Sequence, residues 1–342
     1  DTQLLLEARW PKVDNPLNIT RDTCAISLDG FTENSAPIDE FNNYAAYYTH
    51  NDLALLPFNV TGSAIVMAPG MEWWLRVGEV TNHSLERIDI KYKYTGDIFS
   101  ETDLLKPDDP FFLWNKYELI TEDREYFIDT NNEIIFLKSI NSPNNIKVRL
   151  REKVLDINAN RVLIKNIKIK GRVEVFGDNI NLENLDISNG FKDLSLKRNH
   201  ACITIRGNNN KLKNSHIYNG VLVSSIDLYD IGHIVDNNII HNVGGIQCRN
   251  QASNLLITRN TIYNSFNIGI SITGKNSEYS YNHIYNVSTL ITDLAAMNAW
   301  NSGDSLGSVV KYNHIHDCHG YINSLGKHNG CSGIRLDSGG AI

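Results

Sequence analysis

One eight-residue phrase recurs six times between Leu182 and Asp317, and it constrains this chain more than any other feature. It reads Leu182-Glu-Asn-Leu-Asp-Ile-Ser-Asn189, Leu212-Lys-Asn-Ser-His-Ile-Tyr-Asn219 and Val235-Asp-Asn-Asn-Ile-Ile-His-Asn242. It continues as Ile257-Thr-Arg-Asn-Thr-Ile-Tyr-Asn264, Tyr279-Ser-Tyr-Asn-His-Ile-Tyr-Asn286 and Val310-Lys-Tyr-Asn-His-Ile-His-Asp317. The closing residues 189, 219, 242, 264, 286 and 317 are spaced 30, 23, 22, 22 and 31 apart. A unit this short cannot bury its own apolar side chains, so it must stack on its neighbours. Apolar residues alternate with the period of a strand, and the 3.6-residue period of a helical solenoid is absent. The prediction is an all-β fold, a right-handed parallel β-helix, with Asn stacked as an amide ladder at turns whose left-handed geometry Asn tolerates.

A second strand column follows each phrase. Ile203-Thr-Ile-Arg206, Ile226-Asp-Leu-Tyr229, Ile246-Gln-Cys-Arg249, Ile270-Ser-Ile-Thr273, Met297-Asn-Ala-Trp300 and Ile334-Arg-Leu-Asp337 share one in-out-in-out pattern. One outward row becomes Thr204, Asp227, Gln247, Ser271, Asn298 and Arg335; the other becomes Arg206, Tyr229, Arg249, Thr273, Trp300 and Asp337. Parallel strands space such rows by about 4.8 Å per coil. Acids, arginines, amides and two aromatics at that spacing describe a sugar-binding face.

The N-terminal part breaks this rhythm. Residues 1–69 hold short apolar runs, Leu4 to Ala8 and Ala64 to Met67, that read as the first coils. Residues 70–140 read as a β-rich insertion, with a loop at Pro107-Asp-Asp-Pro110 and a hairpin in Tyr126 to Leu137 turning at Thr130-Asn131-Asn132. Coils then fill 141–342.

Bulk properties exclude several classes. The net charge is -7 and no Lys/Arg stripe recurs, so nucleic acid is not expected as a partner. No stretch approaches the roughly 20 apolar residues that cross a bilayer, and no signal peptide is visible at Asp1. Five cysteines, Cys24, Cys202, Cys248, Cys318 and Cys331, are too few and uneven for a disulfide framework; Cys202 and Cys248 read as core thiols. Cys318-His319 with His328-x-x-Cys331 has the residue types for zinc, for a disulfide or for a plain loop. His241, His283, His314 and His316 fall at repeat positions read as turns.

Glu7-Ala-Arg-Trp-Pro11, Phe112-Leu-Trp-Asn-Lys116, Thr292-Asp-Leu-Ala-Ala-Met-Asn-Ala-Trp300, Tyr312-Asn-His-Ile-His-Asp317 and Gly333-Ile-Arg-Leu-Asp-Ser-Gly339 together resemble one group. It is that of the right-handed parallel β-helix proteins that include glycoside hydrolases acting on xylosides and fucosides. The resemblance implies a polysaccharide or oligosaccharide partner, an extracellular or periplasmic location, no cofactor, and catalytic carboxylates at Asp293 and Asp337. Met297-Asn-Ala stands where Ile-Tyr-Thr is usual, and members generally continue through further coils beyond the point matching Ile342. A C-terminal continuation or capping by another chain is therefore expected. Glycoside hydrolysis sets its two carboxyl groups about 5–5.5 Å apart for retention and about 6.5–9.5 Å apart for inversion. Asp227, Gln247, Arg249, Asn298, Trp300 and Arg335 are the expected sugar contacts. Two other readings remain: a non-catalytic adhesin or fibre segment, and a polysaccharide lyase in which Arg249 and Arg335 neutralise a uronate.

Overall fold

The computed structural model describes residues 5–14, 19–33, 38–39, 43–70, 75–93, 104–143, 146, 153–189, 201–220, 224–249, 252–299, 305–322 and 328–336. Trp300 and Asp337 lie outside them. Among the described residues there are strands and short 3-10 turns but no α-helix. The chain divides into two compact units, residues 1–16, 20–148 and 322–328 in one, and residues 17–19, 149–321 and 329–342 in the other.

The second unit is a parallel β-helix. Each coil gives one strand to each of three parallel sheets. The first sheet holds Lys153–Ile157, Arg172–Val175, Ala201–Ile205, Ser224–Leu228, Gly244–Cys248, Ile270–Ser271, Ala295–Ala299 and Ser332–Leu336. The second runs from Leu163–Lys165 to Val309–Lys311, and the third from Lys168–Lys170 to His314–Cys318. Inward residues stack directly on one another; Ile203 lies over Val173 and under Ile226, and Ile217 lies between Ile187 and Ile240. These columns form one continuous apolar core.

The recurring phrase maps onto this geometry residue by residue. Its third and eighth positions bracket the third-sheet strand, and both are left-handed. Asn184, Asn214 and Asn237 have φ between 51° and 55°, and Asn189, Asn219, Asn242, Asn264 and Asn286 between 50° and 60°. Asn carries this conformation at low cost because its short amide bonds locally. The fourth position faces inward as a buried ladder. Asn238 donates its backbone N–H to Asn260 Oδ1 (3.0 Å), Asn260 to Asn282 Oδ1 (3.0 Å) and Asn282 to Asn313 Oδ1 (2.8 Å). The eighth-position amides form an outer ladder, Asn264 Nδ2 to Asn242 Oδ1 at 3.0 Å and Asn286 Nδ2 to Asn264 Oδ1 at 2.5 Å. The buried backbone N–H groups of Asn238, Asn260 and Asn282 thus each regain an acceptor.

Because the turn residues are these Asn, the histidines read as turn residues lie instead on third-sheet strands. His241, His283, His314 and His316 all point outward there. The column of His241 and His316 contains Tyr218, His241, Tyr263, Tyr285 and His316, whose ring centroids are 5.4, 4.8, 5.0 and 5.1 Å apart and nearly parallel.

The described strands of residues 1–69 join no coil. All but Leu6–Glu7, which pairs with Glu125–Asp129, lie in an antiparallel sheet of order Arg9–Trp10, Pro110–Trp114, Ala64–Met67, Arg76–Ser84, Arg87–Lys93, Asn43–Thr49 and Asp29–Thr32, with Ala25–Ile26 also against Pro110–Trp114. Alternating burial along Asn43–Thr49 puts Tyr44, Ala46 and Tyr48 into a core with Tyr92, Phe111 and Leu113. A separate three-stranded sheet contains the expected hairpin, with Tyr126 opposite Leu137 and Asp129 opposite Ile134. The Pro107–Pro110 loop is anchored inward: buried Asp109 accepts from Tyr48 Oη (2.6 Å), Lys106 N (2.8 Å) and Gly70 N (2.9 Å).

Three imidazoles of the β-helix make its stability sensitive to acid. Burial, the main cause in each, holds His216, His233 and His241 below the usual histidine range. His233 is fully buried, and its Nδ1 accepts from the Asn210 amide at 3.3 Å while its Nε2–H donates to the Tyr229 carbonyl. Unfolding frees these rings to take up protons, so their stabilisation is complete above about pH 6.5 and is lost as pH falls towards the lower folded values. The urea midpoint is expected to drop between about pH 7.5 and pH 5.5, and His233→Asn to flatten that slope. Equal midpoints at both pH values would contradict this.

Candidate functional site

The first sheet carries the outward row read from the sequence, in the same register. Thr204 lies beside Asp227, Asp227 beside Gln247, Ser271 beside Asn298 and Asn298 beside Arg335. The row also extends to two acids the sequence reading left out, Glu174 beside Thr204 and Asp156 beside Glu174. Val173-Glu-Val175 carries the same in-out-in signal as Ile203-Thr-Ile205, so alignment one coil earlier finds Glu174.

From Thr204 to Asn298 the outward row is not open to solvent. Thr204 is 3% exposed, Asp227 0%, Gln247 9%, Ser271 0% and Asn298 1%. Alternation reports which side of a strand a residue faces, not whether that side meets water. Buried in this way, Thr204 Oγ1, Asp227 Oδ1 and Asn298 Oδ1 have no hydrogen-bond partner. Leaving such an atom unmatched costs about 1–3 kcal/mol, which makes a line of three unusual within one sheet.

Charged members of the row are paired. Arg249 Nη2 lies 2.5 Å from Asp227 Oδ2, one coil away. Burial pushes the Asp227 carboxyl above the usual range, against the opposing pull of Arg249. Glu174 is held by Arg172 and, at 3.0 Å, by Lys153. Arg335 Nη1 donates to both the backbone carbonyl (2.8 Å) and Oδ1 (2.5 Å) of Asp293. Asp293 takes a left-handed turn, φ 56°, just before the Ala295–Ala299 strand, and its side chain is 32% exposed. Both arginines suited to neutralising a uronate thus already hold carboxylates, which weighs against lyase chemistry. On the row beside it, Arg206 stacks over Tyr229 at 3.8 Å.

The cysteines follow their expected places. Cys202 and Cys248 lie in the core, and burial pushes the Cys248 thiol up to about 12, far from a nucleophile at neutral pH. Cys318 and Cys331 are joined by a disulfide with Cα atoms 5.5 Å apart. Their sulfurs are consequently not zinc ligands, and His319 Nε2 contacts Asn286 Oδ1 at 2.5 Å.

No protein-family model matches the chain, and no curated protein does. Solved structures do. A protein described as a glycoside hydrolase matches with a TM-score of 0.52 at 12% identity, over 92% of this chain and 67% of that one. The tailspike Gp54 of Acinetobacter baumannii bacteriophage AP22, in complex with a capsular saccharide, matches at 11% identity over 85% of this chain and 51% of its own, TM-score 0.22. The catalytic domain of a GH87 alpha-1,3-glucanase in complex with nigerose matches at 9% identity over 93% and 78%, TM-score 0.25. The first likeness is one of fold and agrees with the resemblance seen in the sequence; the other two are too distant to carry an argument. No helix among the described residues is long and apolar enough to cross a membrane.

Proposed function

We propose that the chain is a carbohydrate-active β-helix protein, a glycoside hydrolase whose saccharide lies along the outward row of the first sheet. The observation that carries this reading is the line of unmatched oxygens, Thr204 Oγ1, Asp227 Oδ1 and Asn298 Oδ1. Thr204 and Asp227 lie on successive coils and Asn298 three coils beyond Asp227, so a saccharide following the sheet and displacing what covers these oxygens would offer each a hydroxyl donor. Gln247, Arg249 and Trp300 belong to the same binding face, with Arg249 acting through Asp227. Asp293 and Asp337 are the catalytic carboxylates, one exposed enough to meet substrate and oriented by Arg335, the other directly after the neighbouring strand Ser332–Leu336. One of the two carboxyl groups donates its proton to the leaving glycosidic oxygen while the other, ionised, activates water or attacks the anomeric carbon, and no cofactor is needed. The Cys318–Cys331 disulfide supports an oxidising compartment, extracellular or periplasmic.

One observation favours a rival reading, a structural or adhesive segment: the row is closed to solvent along most of its length. A panel of plant, algal and host polysaccharides separates the readings. Hydrolysis releases reducing ends without absorbance from unsaturated uronates, and a lyase gives both signals. Neither signal, with no saccharide retained, would overturn the proposal in favour of the structural reading.

A further inference from the structure

The third sheet carries a cluster that the carbohydrate reading does not use. His283 and His314 occupy one outward column on adjacent coils, and His316 the next column of the same strand as His314. The His283 and His314 rings are stacked, 4.8 Å apart at 4°. His283 Nε2 is 2.9 Å from His316 Nε2, and one ring nitrogen from each of the three lies within 4.8 Å of the others. Among the described residues no other group of three His, Cys, Asp or Glu converges in this way.

We propose that His283, His314 and His316 bind a zinc-class divalent ion that links the two successive coils. Three imidazole nitrogens are the ligand set that zinc, nickel and copper accept, with a fourth place left for water. Tetrahedral Zn–N bonds of about 2.0–2.1 Å put ligand nitrogens about 3.3 Å apart, so an ion replacing the shared proton parts His283 and His316 by about 0.4 Å, while the His314 ring, stacked parallel to His283, turns and closes in so that its lone pair also meets the ion. An independent feature points the same way. His316 Nδ1 lies 2.9 Å from Asp317 Oδ2. A carboxylate taking the Nδ1–H fixes the tautomer whose Nε2 lone pair faces the cluster, the arrangement that orients metal-bound histidine.

The same sheet supplies a control. His216 and His241 also meet Nε2 to Nε2, at 2.8 Å, but with no third ligand. A pair without the third imidazole is expected to bind such an ion far more weakly.

The full chain, stripped with a chelator, is titrated with zinc chloride alone by calorimetry. The result expected is one saturable site of micromolar or tighter affinity. His314→Ala, whose side chain is exposed so that the fold is retained, should weaken it at least about tenfold. Asp317→Asn should weaken it about 10- to 100-fold, and His241→Ala should leave it unchanged. Zinc X-ray absorption should count three imidazoles. No saturable binding, equal affinity in His314→Ala, or loss in His241→Ala would overturn the site.

Discussion

Replacing Asn260 by Ala is expected to cost the β-helix about 3–5 kcal/mol, because it leaves buried polar groups on two coils unmatched. Asn260 is fully buried. Its Oδ1 accepts from Asn238 N (3.0 Å) and Asn238 Nδ2 (2.9 Å), and its Nδ2 donates to Val235 O, Thr258 O and Asn282 Oδ1, each at 3.0 Å. Alanine removes the whole side chain yet keeps the backbone donors and acceptors it served. The neighbouring Asn237 is exposed, and its amide makes one bond, to Asn214 Oδ1 at 2.8 Å. Asn237→Ala should therefore cost only about 1 kcal/mol, chiefly because Ala lacks the short amide whose local bonding lets Asn adopt the left-handed region. Thermal melts of the two variants beside the parent check this. Equal shifts would mean that the buried ladder is not what couples the coils.

Asp293→Asn and Asp337→Asn are each expected to lower kcat on a cleaved saccharide by about 10²–10⁴-fold, the range over which a positioned acid or base acts. Stability separates this from a structural effect for Asp293. Its pairing with Arg335 involves side chains about one third exposed, so breaking it should cost no more than about 1 kcal/mol. Activity should collapse while the melting temperature barely moves. Parent-like turnover in Asp293→Asn would remove that residue from the chemistry. A large fall in melting temperature with proportionate loss of activity would make it a structural turn.

The β-helix was readable in the sequence because its determinants are local and periodic. The six closing residues, five Asn and Asp317, all adopt positive φ, and the alternation in Ile203-Thr-Ile205 and its fellows gives the register of the first sheet directly. What local pattern does not encode is what lies above a strand. Thr204, Asp227 and Asn298 point outward as read, yet are buried, and nothing in the alternation of their own strands signals that. The same limit explains residues 1–69. Short runs such as Ala64–Met67 look alike in parallel and antiparallel sheets, and only pairing with Arg76–Ser84 and Pro110–Trp114 distinguishes them. The histidine cluster escaped for another reason: Tyr281-Asn-His and Tyr312-Asn-His read as turns, whereas the turn ends at Asn282 and Asn313.

The most direct test of the carbohydrate site is a crystal structure of Asp293→Asn soaked with the longest oligosaccharide that the panel shows to be cleaved. Sugar density is expected along the first sheet, with hydroxyl oxygens about 2.5–3.0 Å from Thr204 Oγ1, Asp227 Oδ1 and Asn298 Oδ1. Sugar bound on another face, with those three oxygens meeting only water, would contradict it.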